Sequence, residues 1–477
     1  MKRVGFLLVA CLVSCPLFTR CQNAGEKEIL TEPLITFKDD IKDTGENPYT
    51  VSVSITSVQD LKEVKIEKIF PGKDKPDEVI EKVTTFDNPK LYTFEKEFTV
   101  PPAVQKMQIV FNAVTVKNLS SNATFTFNVE ISRKPVCLWA WASTIFGGED
   151  IQTVVNKLAE NNVNEIFLNV GLRSFRTPSL IGKLTDFLTK AHAKEIKVHF
   201  WFMMNTSEQY MAANPGACIY HCPYPQGGHT DPYPMNDDRV NLLWPGYKED
   251  VLENIRYFLT NFDCDGIHLD GIRYGHFVYS FDEYSLQRAA ASGCNTTRLL
   301  SFFNTAENYT TYATKAGFVN LYVNGDEDVV KWVEMRKSVI YEYIDAIRKT
   351  MEEVKPGLEL TAAFMPEGAN DPKFSDVYYA QNYTLHSTVL DMISPMAYFK
   401  AYGKTTGWVQ TITQGAKQRV DPTCKIYTGV QGYDGVTAAQ LNEQIQYSFN
   451  GGAEGIIVFR YGTFTEDCWE VIKGWYE

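Results

Sequence analysis

The stretch 265–274, which reads DGIHLDGIRY, holds the residues whose types and spacing are best suited to chemistry. If it forms a strand, alternation puts His268 and Asp270 on one side and the apolar residues between them on the other. A carboxylate on the buried side is costly unless it is paired or used, and Arg273 can pair with Asp270 and keep it ionised. An ionised carboxylate is the form that acts as nucleophile or base, although a purely structural Asp–Arg pair has the same pattern. Asp265 is interpreted as the entry cap of this strand.

Such a strand needs a scaffold that brings strand ends together, and the chain from residue 135 onward has the right pattern. Eight apolar runs alternate with amphipathic stretches, which predicts an α/β fold, a (β/α)8 TIM barrel with its site at the strand C-termini. A doubly wound open sheet is the alternative, but no Gly-x-Gly-x-x-Gly follows the first run. The predicted strands are 136–143, 165–170, 197–204, 266–274, 358–365, 392–399, 425–432 and 455–461. The predicted helices are 150–161, 180–193, 247–262, 329–354, 406–418 and 438–449, and the long connections 205–246 and 275–326 are expected to be walls or lids.

Residues 31–134 have a different pattern, in which apolar and polar residues alternate with a period of two. About seven short strands separated by turn residues predict a small all-β, immunoglobulin-like sandwich in front of the barrel. The segment has no histidine and no cluster of reactive side chains. We therefore expect an accessory domain at 31–134 and the functional domain at 135–477.

The N-terminus has the pattern of an export signal. Lys2 and Arg3 precede an apolar run of ten residues, too short to span a bilayer of ~30 Å, so 1–14 is predicted to be a signal peptide. The sequence LVSC at 12–15 resembles a bacterial lipobox, which predicts a lipid on Cys15, a linker at 15–30 and anchoring to the cell envelope, at the outer membrane surface or its periplasmic side. Pro16 is unusual after such a cysteine, and an ordinary signal peptide is the alternative.

Composition excludes several classes of protein. With 46 Lys and Arg against 58 Asp and Glu, the net charge of the 477-residue chain is −12, which argues against a nucleic-acid partner. A hydrophobic fraction of 44% and an aromatic fraction of 13% exclude a disordered or fibrous protein. The chain is thus expected to be a folded protein whose membrane contact is made only through the N-terminal lipid.

The cysteines do not predict a metal site. Seven follow the signal region, an odd number that does not suggest a disulfide framework. Cys218 and Cys222, with His221 and His229 nearby, have zinc-ligating chemistry, but the spacing matches no common zinc motif. A local disulfide or simple burial is preferred, so neither metal nor cofactor is predicted.

Four segments together resemble the family-10-like glycosyl hydrolases, carbohydrate-active barrels distantly similar to α-amylases and common among bacterial lipoproteins. They are GYKEDVLENI at 246–255, DCDGIHLDGIRY at 263–274, SPMAY at 394–398 and GGAEGIIVF at 451–459. The resemblance covers 135–477 and not the sandwich. It implies a glycoside hydrolase-like TIM barrel with Asp270 in the nucleophile position, and it leaves the sugar unspecified.

Family-18 chitinases are a rival, because they share a Met-x-Tyr pair, here Met396 and Tyr398. In their strand-four motif the acid is a glutamate, and the matching position in this chain is Ile272. Isoleucine cannot donate a proton, so the chitinase mechanism is rejected.

Sugar cleavage generally requires a second carboxyl group, a general acid with a raised pKa. Glu367 is the first candidate, because the apolar residues 364–366 before it favour desolvation and because amylase-like barrels keep their acid at this place. Asp434, after the seventh strand, is the second. Three further carboxylates lie in the loop after the third strand: Glu208, Asp237 and Asp238.

Other rim residues have the chemistry to bind a sugar. Aromatic faces can stack on a sugar ring, although inward aromatics also fill barrel layers; amides and cations can bond hydroxyl groups. The expected substrate-binding residues are Trp139, Trp141, Asn205, His268, Arg273, Tyr398, Gln431, Tyr433, Asp434 and Arg460.

The leading hypothesis is a glycoside hydrolase that cleaves an oligosaccharide or polysaccharide with a pair of carboxylates. The alternative is a non-catalytic glycan-binding lipoprotein on a degenerate hydrolase barrel. An amide or ester hydrolase is a third possibility, but no Gly-x-Ser-x-Gly elbow supports it.

Overall fold

The computed structural model describes residues 30–46, 48–69, 78–99, 106–128, 134–235 and 237–475. The chain divides into two compact units, Met1–Ser132 and Arg133–Glu477. The predicted signal peptide, the linker up to residue 29 and Cys15 lie outside the described residues.

The N-terminal unit is built only of β-strands in its described part, apart from one short helical turn at Lys38–Asp40. Its strands are β1 (Leu34–Phe37), β2 (Asp43–Thr44), β3 (Tyr49–Thr56), β4 (Leu61–Ile69), β5 (Glu78–Val83), β6 (Leu91–Phe98), β7 (Lys106–Thr115) and β8 (Ser120–Asn128). One sheet has the order β1-β3-β6 and the other β2-β8-β7-β4-β5. Alternate residues of both sheets, such as Val53 and Phe111, share one buried core, as the period of two requires.

The second unit is a closed barrel of eight parallel strands. They are β9 (Val136–Trp141), β10 (Glu165–Asn169), β11 (Lys197–Met203), β14 (Gly266–Asp270), β15 (Glu359–Phe364), β16 (Met392–Pro395), β17 (Lys425–Gln431) and β18 (Gly455–Phe459). Two short strands, β12 (Tyr220–His221) and β13 (Tyr233–Pro234), pair in the segment after β11. The predicted α/β class and barrel closure are confirmed, and the open-sheet alternative is wrong.

Helices surround the barrel and follow its strands. They are α1 (Ala142–Gly147), α2 (Ile151–Glu160), α3 (Pro178–His192), α4 (Glu208–Ala213), α5 (Tyr247–Asn261), α6 (Glu283–Ala291), α7 (Thr296–Ser301), α8 (Ala306–Tyr312), α9 (Lys315–Val323), α10 (Glu327–Val354), α11 (Glu367–Asn370), α12 (Pro372–Tyr378), α13 (Tyr383–His386), α14 (Trp408–Lys417), α15 (Ala438–Asn450) and α16 (Glu466–Gly474). Asp150 caps α2 as its sequence suggests, accepting bonds from two backbone N–H groups. No helix in the described part of the chain combines the length and apolar character needed to cross a membrane.

Two predicted features differ from the structure in ways that matter for the site. The connection 275–326 is not an open loop, because it contains α6 to α9. The strand predicted at 266–274 ends at Asp270, because Gly271 has a φ of +64° and the Arg273 N–H bonds the Gly271 carbonyl. This turn places the functional end of β14 at the rim.

The barrel interior follows the predicted alternation. Ile267 and Leu269 belong to the large core between strands and helices, whereas His268 lies on the inner side with the interior cluster. That interior cluster consists of Cys137, Trp139, Phe167, Trp201, Ala363, Met392, Tyr427 and Ile457. Because the interior is filled with side chains, a ligand can reach only its mouth.

Candidate active site

Asp270 ends β14 at the barrel mouth and is held by three partners. Its Oδ1 accepts a hydrogen bond from the Gly271 N–H at 2.6 Å and another from Arg273 Nη1 at 3.1 Å. Its backbone carbonyl accepts from Met204 N–H at 2.8 Å. The side chains of Asp270 and Arg273 are 14% and 20% exposed. The pair is therefore largely desolvated but open to the mouth, which suits an ionised carboxylate of fixed orientation.

Asn205 supports the turn after β14. Its Nδ2 donates to the Arg273 carbonyl at 3.3 Å, and its Oδ1 lies where a Cβ at position 271 would be, 2.3 Å away. Gly271 is therefore required twice, for its positive φ and for this close approach. The structure gives Asn205 a positioning contact rather than the free amide expected of a substrate-binding residue.

Glu367 starts α11 immediately after β15 and accepts hydrogen bonds from two tyrosines. Tyr379 Oη lies 3.4 Å from its Oε1, and Tyr402 Oη lies 3.4 and 3.3 Å from its two oxygens. Burial raises the pKa of both tyrosines, and the charge of Glu367 raises it further. The positive charge of Arg273 acts in the opposite direction on both.

Tyr398 lies close enough to Asp270, Arg273 and Tyr402 for each of them to influence its pKa. Burial raises its pKa well above the usual range, and the charge of Asp270 adds to the effect. Arg273 lowers the pKa of this tyrosine too, and Tyr402 is close enough to raise it. Asp270, Arg273 and Glu367 therefore act on one set of tyrosines, so both candidate carboxylates face the same rim.

Three expected substrate-binding residues lie inside the protein instead. Trp139, His268 and Gln431 are at most 2% exposed, so none offers a surface to a ligand, and these expectations are corrected. Trp139 Nε1 donates to His268 Nε2 at 3.1 Å. The other ring nitrogen, Nδ1, lies 2.8 Å from Thr361 Oγ1, and burial lowers the pKa of His268 well below its usual range. The imidazole is thus neutral and fills the barrel interior.

Gln431 serves as a clamp between two rim segments. Its Oε1 accepts from the Lys400 and Ala401 N–H groups at 3.0 and 3.2 Å. Its backbone pairs with the side chain of Gln444 on α15. Gln431 therefore holds the chain that follows β16 against the end of β17.

The remaining expected residues do present surface at the mouth. Trp141, Tyr398 and Tyr433 are half-buried, and Tyr398 packs against Tyr433 and Phe459 with ring centroids 5.9 and 5.7 Å apart. Arg460 follows β18, is partly exposed and has no side-chain partner among the described residues.

Asp434 is exposed, with a φ of +63°, and Lys400 Nζ bonds its carbonyl. An exposed carboxylate lacks the desolvation that a general acid needs, which ranks Asp434 below Glu367.

The other candidate carboxylates are less suitable. Arg239 pairs with Asp237 and outweighs burial, so the pKa of Asp237 is lowered and it stays charged at neutral pH. Glu208 is exposed in the first turn of α4. Neither has the surroundings of a proton donor.

The zinc alternative is not supported. Cys218 and Cys222 are buried free thiols, and burial raises the pKa of both. Within the described ranges, the one group with ligand atoms close enough for a metal is Glu165, His199 and Glu359. Glu165 and Glu359 begin their strands, so this group lies at the opposite end of the barrel from Asp270. There His199 Nε2 contacts Glu165 Oε2 at 3.1 Å, and Lys425 pairs with Glu359 at 3.0 Å.

Sequence reasoning missed four residues of this rim. Tyr379 and Tyr402 follow Glu367 by 12 and 35 residues, and no sequence motif links them to it. Asn169 and Met203 are the last inward residues of β10 and β11. The inward direction of Asn169 and Met203 could have been predicted from the alternation that was used for Asp270, because alternation applies to every strand.

Comparisons with known proteins agree with this architecture. A family model described as Glycosyl hydrolase-like 10 matches residues 181–448. A search of curated proteins found no match.

Solved structures with the same fold include three carbohydrate-active barrels, each with a TM-score of 0.50. The glycoside hydrolase domain of PgaB (BpsB) from Bordetella bronchiseptica is 10% identical, and the match covers 71% of this chain and 98% of that one. The catalytic domain of β-amylase from Paenibacillus polymyxa is 11% identical, with 72% and 98% covered. The β-galactosidase from Rahnella sp. R3 is 11% identical, with 73% and 56% covered. At these identities the likeness establishes the fold alone.

Proposed function

The chain belongs to the glycosyl hydrolase-like 10 family, and on that premise we propose that it is a glycoside hydrolase that cleaves an oligosaccharide or polysaccharide. The observation that carries the proposal is Asp270, a desolvated carboxylate paired with Arg273 at the C-terminal mouth of a closed barrel. Barrel enzymes act at this end. The family and the fold support a carbohydrate-active protein. The cleavage of a glycosidic bond is our proposal.

In the proposed reaction the two carboxylates have different roles. Asp270, paired with Arg273, attacks the anomeric carbon as the bond to the leaving oxygen breaks and positive charge develops there. Glu367 donates a proton to the leaving oxygen, from a position at the start of α11 where Tyr379 and Tyr402 orient its carboxyl group. Water then attacks the anomeric carbon, gives its proton back to Glu367 and releases the sugar from Asp270. The tyrosines are kept neutral by burial and so remain hydrogen-bond donors.

The test is a screen for release of reducing sugar over a panel of polysaccharides and oligosaccharides. On a cleaved substrate, Asp270→Asn should lower kcat by at least about a thousandfold with the fold intact, because the amide cannot offer a negative charge. Glu367→Gln should abolish cleavage of natural substrates but spare aryl glycosides whose acidic phenols leave without a proton. Near-normal turnover by Asp270→Asn would show that Asp270 is not the catalytic carboxylate.

Asp434→Asn separates the two candidate proton donors, because Asp434 is a solvated rim carboxylate. Its kcat should stay near the wild-type value, and loss of a sugar contact there would raise KM only. If instead Glu367→Gln is silent and Asp434→Asn is inactive, Asp434 is the acid and the assignment of Glu367 is wrong.

A second candidate function, a non-catalytic glycan-binding protein, is favoured by one observation. Two tyrosine hydroxyls donate to Glu367, and hydrogen bonds donated to a carboxylate stabilise its charged form, whereas a general acid must carry the proton. Isothermal titration calorimetry separates the two functions: binding of an oligosaccharide with no product after prolonged incubation would favour the binder.

We further propose that the protein is exported and anchored through a lipid on Cys15, with an immunoglobulin-like accessory domain before the barrel. β1 and β2 together occupy the place of a single first strand that is divided between the two sheets, as β1 pairs with β3 in one sheet and β2 pairs with β8 in the other. This division supports an immunoglobulin-like domain. The lipobox-like sequence at 12–15 supports the anchor.

A further inference from the structure

A cavity at the C-terminal ends of β10 and β11 borders the proposed nucleophile. Met203 on β11 is in register with Asp270 on the neighbouring strand β14. Met203 and Asn169 both line an open cavity of about 260 Å³. Asn169 is itself in register with Trp141 and Trp201. The cavity therefore includes the residue that lies in register with Asp270 on the neighbouring strand.

A second cavity, of about 330 Å³, is adjacent to the first, because Asn169, Gly171 and Ser174 line both. The two differ in character. The first is lined mainly by polar side chains, among them Thr206 and Gln209. The second adds the apolar surfaces of Trp141, Phe146, Phe175 and Leu180.

This division matches the two kinds of surface on a sugar ring, hydroxyl groups at the edge and C–H groups on the face. Trp141 is half-buried and fixed against Trp201, with ring centroids 4.6 Å apart. Its orientation is thus set before any ligand arrives, which reduces the entropy lost on binding.

Asn169 supplies a hydrogen-bond donor without a protein partner. Its Nδ2 is buried and makes no hydrogen bond in the structure, although buried polar groups are normally satisfied. The side chains of Thr206 and Gln209 also have no hydrogen-bond partner among the described residues, and Gln209 is exposed. Rotation of the Asn169 amide toward the cavity that the residue lines would let a ligand hydroxyl satisfy this donor.

The charges of the lining disfavour an anionic sugar. Arg173 is its one cation, and Asp250 pairs with it while Ser207 accepts a bond from its Nη1 at 2.9 Å. Glu208 adds a negative charge. No unpaired cation among these lining residues is available to a carboxylate, so a uronic acid would be desolvated without compensation.

We propose that these adjacent cavities form the sugar-binding subsite next to Asp270, that Asn169 and Trp141 are its specificity-determining residues, and that it takes a neutral or amino sugar rather than a uronic acid. This inference rests on the proposed function, because it assumes that Asp270 faces a glycan.

The test measures oligosaccharide binding by calorimetry in the Asp270→Asn background, where no turnover occurs. The probes are maltotetraose, cellotetraose, chitotetraose with and without its N-acetyl groups, and tetragalacturonate. Asn169→Ala and Trp141→Ala should each weaken binding of the preferred neutral or amino probe at least tenfold. Trp141→Phe, which keeps an aromatic face, should lose no more than about threefold, and tetragalacturonate should not bind.

Asn156→Ala is the matched control, because Asn156 lies on α2 outside the cavities and is also an asparagine. It should leave binding unchanged. Should Trp141→Ala fail to fold, Gln209→Ala provides an independent measure at an exposed position and should weaken binding several-fold. Wild-type affinity in both Asn169→Ala and Gln209→Ala, or preference for tetragalacturonate, would overturn the subsite.

The outcomes separate this inference from the proposed function. If the wild type cleaves a glycan and Asp270→Asn abolishes cleavage while the cavity variants bind normally, the subsite is wrong and the function stands. If the wild type neither binds nor cleaves any glycan in the panel, the function is wrong and the subsite is rejected with it.

Discussion

At the scale of single residues, the surroundings of each ionisable group decide what it can do. Asp270 and His268 are two residues apart on the same side of β14, yet one reaches the mouth beside Arg273 and the other is enclosed between Trp139 and Thr361. The first is suited to chemistry and the second to filling the barrel. A difference of one barrel layer, about 7 Å along a strand, separates the two roles.

Buried neutral histidines make the free energy of unfolding depend on pH. His386 is the residue at which we predict this contribution. Burial lowers its pKa to about 4, below the usual value of about 6.5. The unfolded chain therefore binds a proton between these values and the folded chain does not, so stability falls as pH drops from about 6.5 to 4. Between pH 7 and 5, His386 should contribute about 2 kcal/mol of this loss.

Urea denaturation of His386→Gln at pH 7 and 5 measures that contribution. The difference in unfolding free energy between the two pH values should be about 2 kcal/mol smaller than in the wild type. His229→Gln, at an exposed position, should keep the wild-type difference. An unchanged pH dependence in His386→Gln would show that this histidine is not the neutral, buried group described.

At the scale of elements, the start of β14 shows how a strand is fitted to its neighbours. A Cβ at Gly266 would lie 2.3 Å from His199 Nδ1 and 2.6 Å from the Glu359 carbonyl oxygen. The strand can pass between β11 and β15 here only because the residue has no side chain. A side chain at this point would displace backbone and so disturb the strand that carries Asp270.

Two Gly→Ala substitutions should therefore have opposite effects on stability. Gly266→Ala should lower the unfolding free energy by about 1–3 kcal/mol, the usual range for overpacking. Gly182→Ala, in the exposed part of α3 where a Cβ meets nothing within 4 Å, should raise it by about 0.5–1 kcal/mol, because alanine favours helix. Thermal unfolding of both proteins checks the pair, and a stable Gly266→Ala would contradict the tight fit.

At the scale of the whole molecule, the two compact units have separate hydrophobic cores, one between the two sheets and one around the barrel. A unit with its own core can fold alone. The fragment 135–477 should therefore be soluble and unfold in one cooperative transition by calorimetry. An insoluble fragment, or one without cooperative unfolding, would mean that the barrel requires the residues before it.

Attachment to a membrane is predicted for the full-length protein through a lipid on Cys15. With a lipid on Cys15, the full-length protein should partition into detergent, and Cys15→Ser should release it as soluble material, because a covalent acyl chain provides the membrane affinity. Cys21→Ser is the control and should remain in detergent. Unchanged partitioning of Cys15→Ser would remove the proposed anchor.

Sequence periodicity was sufficient to predict the barrel, its strand order and the inward direction of Asp270. These follow from local periodicity, since alternation in a strand and the spacing of strand–helix units depend on neighbours in the chain. The same periodicity also indicated which residues of β14 face the helices. It did not reveal that β14 ends at Asp270, because that depends on a turn stabilised by Asn205 from another segment.

Which inward residues reach the mouth depends on contacts that form only in the folded barrel. Trp139, His268 and Gln431 have the chemistry of binding residues but lie a layer too deep or bond to the backbone. Conversely, Tyr379 and Tyr402 meet at Glu367 although they are distant in sequence from each other. The depth of a residue in a barrel, and its contacts across the rim, depend on strand stagger and loop packing. These are long-range properties that no local pattern encodes.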